Sequence, residues 1–434
     1  MLLNAVYKLN NHISSSFYIG MLLAILSSDN KKGVNKMKNY AVMHMPKMIN
    51  YGRHAFKEVG KVGAELGGRA LIISDEMMDE LGNVNAVQDY LSEENIDSSV
   101  YLGVESEPTD IYVAEALEKF KKEQCNMVIS IGGGSCIDTA KAVAVLASNG
   151  GYIGDYMGGK KIANKEPVPH IAIPTTAGTG SEATDATIIT NTSNEVKMMI
   201  KQPAFMPVVA IVDPMLSLSS PKHVTAATGV DALSHAIESY ISKRSHPMTD
   251  TMGLSAMKLI TENILTAYRE GDNLDAREAM SLGSLQAGIA FSNSSVCLVH
   301  GMSRPIGALF HVPHGYSNAM LLPAVLEFSM DSTIERLADL GRIFYPEAKS
   351  YSDDKAASTA VQAVKQLCAD LNIPNLQSWG IDEQKFITAR GKMANDALAS
   401  GSPANSPRVP TQNEIERLYQ TCYTYDFSLK SKVR

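Results

Sequence analysis

The chain has 434 residues, 45% of them hydrophobic and 20% charged, with a net charge of −7 at pH 7. That length accommodates two ordinary domains, and the balance is that of a globular protein, not a disordered or membrane-embedded one. The negative charge excludes the electrostatic footprint of a nucleic-acid or anionic-lipid binder.

Residues 1–36 differ in texture from the rest and are expected to be a disordered extension. The apolar run Phe17 to Leu26 is about ten residues long, too short to span a bilayer. It also makes a poor signal peptide, with one lysine before it and no clear small-x-small site after it. Lys32-Gly33-Val34 can be encoded by a purine-rich ribosome-binding sequence just ahead of Met37, so translation is expected to begin at Met37. Five cysteines (Cys125, Cys136, Cys297, Cys368 and Cys422) are scattered and show no C-x-x-C pairing. They read as reduced thiols, which predicts a cytoplasmic protein.

From Met37 to about Asp213, short β-branched runs alternate with helical patterns. RALIISD (69–75), MVISIGGGS (127–135), HIAIPTT (170–176) and VVAIVDP (208–214) read as strands, and DIYVAEALEKFKKEQ (110–124) as an amphipathic helix. The alternation predicts an α/β unit over 37–217, built on a mostly parallel sheet covered by helices. After a Ser/Pro-rich connection at Pro214 to Pro221, convincing strands disappear. Helical periodicity in segments beginning at Thr225, Thr251, Asp275, Asp331 and Asp354 predicts an all-α unit over 218–434.

Two glycine-rich loops follow strands of the first unit. Gly132, Gly133 and Gly134, with Ser135 and Asp138 behind them, open a helix after MVISI. Backbone amides there can approach a pyrophosphate, aided by the helix dipole. Ser135 adds a hydroxyl or caps the helix, and Asp138 complements its first turn. In the second loop, Thr175, Thr176 and Thr179 interleave with small residues. Alone, either loop is explained as turn chemistry; together they form a crevice suited to a dinucleotide. Neither matches G-x-G-x-x-G. Asp75, closing LIISD, either caps the helix that follows or accepts hydrogen bonds from ribose hydroxyls, the latter favouring NAD over NADP.

The second unit carries Asp231 and His235 in TGVDALSHAIE, then His300 and His314 in VHGMSRPIGALFHVPHG. Residues four apart share one helix face, so Asp231 and His235 can reach one ion. One carboxylate and three imidazoles suit Fe(II) or Zn(II), not the oxygen-only shells of calcium or magnesium. Each residue alone has a structural explanation; the combination is what is specific. His311, about one turn before His314, is a candidate to support the site. The remaining histidines, His170 among them, show no comparable arrangement.

These motifs, GGGSCIDTAK, IPTTAGTGSE, TGVDALSHAIE and VHGMSRPIGALFHVPHG, closely resemble the iron-containing (group III) alcohol dehydrogenases from about Met37 to the C-terminus. The resemblance implies an α/β dinucleotide-binding domain followed by an all-α domain, a dehydroquinate synthase-like architecture with the metal between them. It implies metal ligation by Asp231, His235, His300 and His314. Cofactor contacts would come from Asp75, Gly133, Gly134, Ser135, Asp138, Thr175, Thr176, Thr179 and Lys197. It further implies NAD and Fe(II) as cofactors, with Zn(II) as the other ion the donors accept. The substrate is expected to be a small alcohol, diol or aldehyde, and the assembly a homo-oligomer. Hydride would pass between the substrate carbon and nicotinamide C4, without a protein nucleophile.

One position departs from that pattern. Where many relatives carry a histidine proposed to relay protons, four residues after His300, this chain has Arg304. Arginine stays protonated at neutral pH and cannot act as a general base. Either Arg304 is a cleft-wall residue and water carries the proton, or it pairs with an anionic substrate group. The second alternative points to a hydroxyacid–oxoacid transhydrogenase or a 4-hydroxybutyrate-type dehydrogenase. A lyase of the dehydroquinate-synthase type would need several basic residues that the motifs do not show.

Overall fold

The structure is a computed structural model in which residues 40–105 and 107–428 are described. The expected extension over 1–36 and the start at Met37 lie outside the described residues. Residues 40–42 lack regular structure, while the described residues from Met43 onward form one compact unit.

Eight strands are described: β1 (Met48–Tyr51), β2 (Arg69–Ile73), β3 (Asp97–Tyr101), β4 (Met127–Gly132), β5 (His170–Pro174), β6 (Ala186–Asn191), β7 (Val196–Lys201) and β8 (Val209–Val212). Between them lie α1 (Val59–Leu66), α2 (Glu76–Glu80), α3 (Asn83–Glu93), α4 (Asp110–Lys122) and α5 (Gly134–Asn149). Six strands form one sheet in the order β1-β8-β5-β4-β2-β3, every pairing parallel. Successive side chains of a strand face opposite ways, and here both directions are buried. Leu71 and Ile73 pack with Val113, Ala116 and Phe120 of α4 and Ala140 and Val143 of α5. Ala70 and Ile72 pack with Val59 and Val62 of α1 and Val84, Val87 and Leu91 of α3. The chain leaves β2 towards β3, then returns to place β4 on the other side of β2. The carboxyl ends of β2 and β4 therefore flank a topological switch point, where sheets of this kind leave a crevice.

One pairing among the described strands departs from the expected parallel pattern. β6 and β7 form an antiparallel hairpin, turning through Asn191 to Glu195. This hairpin packs against α5 on one side and reaches the second half of the chain on the other. β1 and β3, the two edges of the sheet, were absent from the sequence reading.

After Pro214 the described residues are helical: α6 (Lys222–Ile241), α7 (Pro247–Arg269), α8 (Leu274–Asn293), α9 (Leu298–Phe310), α10 (His314–Ser329), α11 (Ile334–Phe344), α12 (Asp353–Asp370), α13 (Leu376–Trp379), α14 (Glu383–Ala399) and α15 (Gln412–Tyr423). The expected α/β-then-all-α architecture is what the structure has. α6 is central, packed by α7, α8 and α10, and nearly every residue from Thr225 to Ile241 is buried. A helix enclosed this way must satisfy its own polar side chains internally. Asp231, Ser234, His235 and Glu238 are such groups. Among the described residues, no single helix is long and apolar enough to cross a membrane.

Candidate active site

The glycine loop after β4 is held by its neighbour. α5 begins at Gly134 with Gly133 as N-cap, and no side chain caps it. A Cβ on Gly134 would lie 2.8 Å from Thr179 Cγ2, so only glycine allows the two loops to approach this closely. Thr175 N–H donates to Gly132 O at 3.0 Å, stitching the second loop to the first. The cradle is therefore open at its helix N-terminus and shaped for backbone approach, which fits a pyrophosphate.

Two expectations about this region need correction. Ser135 lies inside the helix and does not cap it. Asp138 falls in the second turn because the helix starts at Gly134, and it serves as a clamp instead. Its carboxylate accepts from Ser181 Oγ at 2.5 Å and from the Ile188 amide at 2.7 Å, tying α5 to the second loop and to β6. Lys141 lies 3.6 Å away and is fully buried, donating to Ser181 Oγ, Thr184 Oγ1 and Ala186 O. Asp75 does cap α2, accepting from the Met78 amide at 2.9 Å, while its other oxygen faces Cys136 Sγ at 3.4 Å beside the glycine loop. Thr175 and Thr176 sit at the end of β5 beside buried Glu182. Lys197, on β7, pairs with Glu107 at 3.2 Å.

The histidines and Asp231 come together as the sequence predicted. Asp231 and His235 project from α6, His300 from α9, and His314 is the first residue of α10, so the P-H-G turn is a helix start. One donor atom from each of the four lies within 4.8 Å of all the others. His235 Nδ1 is buried with no hydrogen-bond partner. The Asn318 amide nitrogen reaches Asp231 Oδ1 at 2.6 Å and both His300 Nε2 and His314 Nε2 at 3.1 Å. The lone pairs of three groups thus converge on one point, which is the arrangement a divalent cation requires. Burial lowers His235 to about 3 and His314 to about 4, each partly offset by Asp231. Burial alone would raise the Asp231 carboxyl, but the surrounding imidazoles hold it well below the usual range. An ionised Asp231 beside neutral His235 and His314 is the protonation state that metal ligation needs. His300, which burial lowers but Asp231 and Glu238 raise above its ordinary value, would have to release a proton on binding a cation.

Three supporting residues escaped the sequence reading. Glu238 accepts from His300 Nδ1 at 2.7 Å, which leaves Nε2 as the ligating nitrogen, and also from the Cys297 and Val299 amides at 2.8 and 2.6 Å. Asn318 lies one turn along α10 from His314. Phe291 stacks on His235 with ring centroids 4.2 Å apart. Glu238 and Asn318 stand at helical spacings (seven after Asp231, four after His314) that a search for supporting groups could have used. His311 supports nothing: it is exposed, at the C-cap of α9 with φ 55°. His170 is a buried core histidine within hydrogen-bond reach of Ser130 Oγ at 2.8 Å.

The three histidines of the quartet and the glycine loop open into one cavity of about 370 Å³, lined by Gly134, Ser135, Thr179, His235, His300 and His314, with Lys197 and Arg304 on its wall. Residues 46–214 match the iron-containing alcohol dehydrogenase family, and residues 225–423 match the C-terminal part of the Fe-containing alcohol dehydrogenase family. The chain belongs to the iron-containing alcohol dehydrogenase family. It is accordingly an oxidoreductase acting on the CH–OH group. The chain is 37% identical over 392 residues to the 1,3-propanediol dehydrogenase of Citrobacter freundii, covering 89% of this chain and 99% of that relative. It is 37% identical over 369 residues to the NAD-dependent methanol dehydrogenase of Bacillus methanolicus, covering 85% and 96%. A solved 1,3-propanediol oxidoreductase superposes with a TM-score of 0.85 at 35% identity, over 88% of this chain and all of that one. All five cysteines of this iron-containing alcohol dehydrogenase are buried and unpaired.

Proposed function

We propose that this iron-containing alcohol dehydrogenase uses NAD(H) and one divalent cation, Fe(II) or Zn(II), to interconvert a small primary alcohol or diol and its aldehyde. The observation that carries this reading is the shared cavity. Three histidines of the four-group cation site and an uncapped glycine cradle line the same space, so a substrate carbon and a nicotinamide can meet there.

Asp231, His235, His300 and His314 would hold the ion, which when bound supplies Lewis-acid polarisation of the substrate oxygen. Glu238 fixes the His300 ring and its tautomer, while Phe291 covers one face of His235 and keeps water from it. Gly133, Gly134 and Ser135 would receive the pyrophosphate, and Asp75 stands at the β2 end of the same crevice for the adenine ribose. Lys197, which pairs with Glu107, would serve the nicotinamide ribose. Burial lowers Arg304 to about 10, with Glu238 opposing the fall, so its guanidinium stays protonated at neutral pH and cannot take a proton from the substrate. The proton of the alcohol therefore leaves through water in the cavity.

The test is NADH formation, followed by absorbance with 1,3-propanediol and simple primary alcohols. Turnover should disappear on exhaustive chelation and return with Fe(II). Turnover that survives complete removal of metal would sink the reading.

A further inference from the structure

Arg304 is a half-buried guanidinium on the cavity wall, with no ion pair among the described residues. Among the described residues its partners are Ser402 Oγ at 3.0 Å and Met199 Sδ at 3.3 Å, and no carboxylate comes within ion-pair distance. A guanidinium carries five N–H donors; these partners use two, one of them on a weak sulfur acceptor. Burial without a paired charge lowers its affinity for the proton but leaves it a cation at neutral pH. Leaving even a half-buried charge unpaired carries a cost, so the missing negative charge is expected to arrive with a ligand.

The surroundings are built for that ligand. Arg244 apart, the other charges on the cavity wall are already matched: Glu107 by Lys197, Asp138 by Lys141, Lys201 by Asp185. Arg244, exposed on the same wall, adds a second cation without an ion pair among the described residues. Ser402 is buried and accepts from Arg304, so its own hydroxyl hydrogen is left to donate beside the guanidinium. Its position is set by packing. A Cβ on Gly301 would lie 2.7 Å from Pro403 Cγ, so glycine there lets α9 press against the segment carrying Ser402.

Resting on the alcohol dehydrogenase reading, we propose that Arg304, with Ser402, binds a terminal oxyanion of the substrate. The substrate class is then a short aldehyde, or its alcohol, bearing a carboxylate, sulfonate or phosphonate. Arg304 follows His300 by one helical turn, and such neighbours have Cβ atoms about 6 Å apart. With both side chains on one helix face and lining one cavity, a short chain can link the reacting carbon to the anion. In the reducing direction the carbonyl carbon would receive a hydride from bound NADH, which becomes NAD+, and its oxygen a proton from water, while the anionic end is unchanged.

The experiment compares the metal-loaded full-length enzyme on butanal and on 4-oxobutanoate, which differ mainly in the terminal charge. Sulfonate- and phosphonate-bearing acetaldehydes serve as further arms to rank the oxyanions. Wild type should show a kcat/KM at least about a hundredfold higher for an acid-bearing aldehyde than for butanal, the range expected for a buried charge-assisted pair. Arg304→Met should collapse that ratio, chiefly through KM for the acid, and Arg304→Lys should restore part of it. Should the variants fold poorly, wild type alone still decides: short carboxylates and sulfonates should inhibit competitively with the aldehyde, while their uncharged analogues do not. A wild-type enzyme that turns over butanal with no preference for acids overturns the inference and leaves the dehydrogenase reading standing. A change confined to KM for NADH overturns it by assigning the cation to the cofactor phosphates. Inactivity on every aldehyde with NADH would remove both.

Discussion

Glu238→Gln offers a sharp test of how the cation site is held. The carboxylate is buried and receives four donors: His300 Nδ1, the Cys297 and Val299 amides and, at 3.4 Å, the His300 amide. Cys297 is the N-cap of α9 and offers no side-chain cap of its own, so Glu238 performs that task from α6. Glutamine has the same shape but presents one NH2 where a carboxylate oxygen stood. If that NH2 replaces Oε1, the Val299 amide loses its acceptor; if it replaces Oε2, His300 Nδ1 and Cys297 do. The milder arrangement still leaves one buried donor unmatched, worth about 1–3 kcal/mol. It also weakens the anchor of His300, and such changes typically lower metal affinity about 10- to 100-fold. Titration with Co(II) against a competing chelator reads the affinity, and thermal unfolding of the metal-free protein reads the stability. A variant that loses stability but keeps wild-type Co(II) affinity would reduce Glu238 to a helix cap and refute the orienting role.

Other positions give independent outcomes. Gly134→Ala should drive its methyl into Thr179 and part the two loops, costing about 1–3 kcal/mol of stability. NADH fluorescence titration should then show at least about tenfold weaker binding, and unchanged affinity would mean that loop contact does not shape the cradle. Burial raises the Glu182 carboxyl from 4.5 to about 7, with Lys141 pulling against it. Its folded pKa exceeds the unfolded one, so its contribution is most favourable at low pH and declines as pH rises from about 4.5 to 7, by on the order of 3 kcal/mol. Glu182→Gln should flatten stability across that interval in denaturant melts; curves that stay parallel to wild type would contradict the buried charge.

What the sequence exposed and what it concealed have physical causes. β2, β4, β5 and β8 were legible because they run through the middle of the sheet, buried on both faces, and so appear as unbroken apolar runs. β1 and β3 are the edges, with mostly half-exposed residues and, in β3, the polar Asp97, Ser98 and Ser99, so no such run exists. The β6–β7 hairpin did leave a signal, alternating buried and accessible residues around an Asn-rich turn, but it was passed over amid the strand–helix alternation. The quartet was visible because Asp231 and His235 obey helical spacing. Glu238 was not, because its partners on α9 are brought to it only by tertiary packing. Asp138 was misassigned by a boundary: the helix begins at Gly134, so its carboxylate meets Ser181 and Ile188 across the crevice.

The central claim is that Asp231, His235, His300 and His314 hold a single cation facing the cofactor cradle. Co(II) absorbance tests it most directly, because its visible bands report both occupancy and the ligand field. The account predicts saturation at one equivalent per chain, a spectrum that changes when NADH is added, and loss of the bands in a folded His300→Ala variant. Saturable bands of equal intensity in that variant, or none in the wild type, would contradict it.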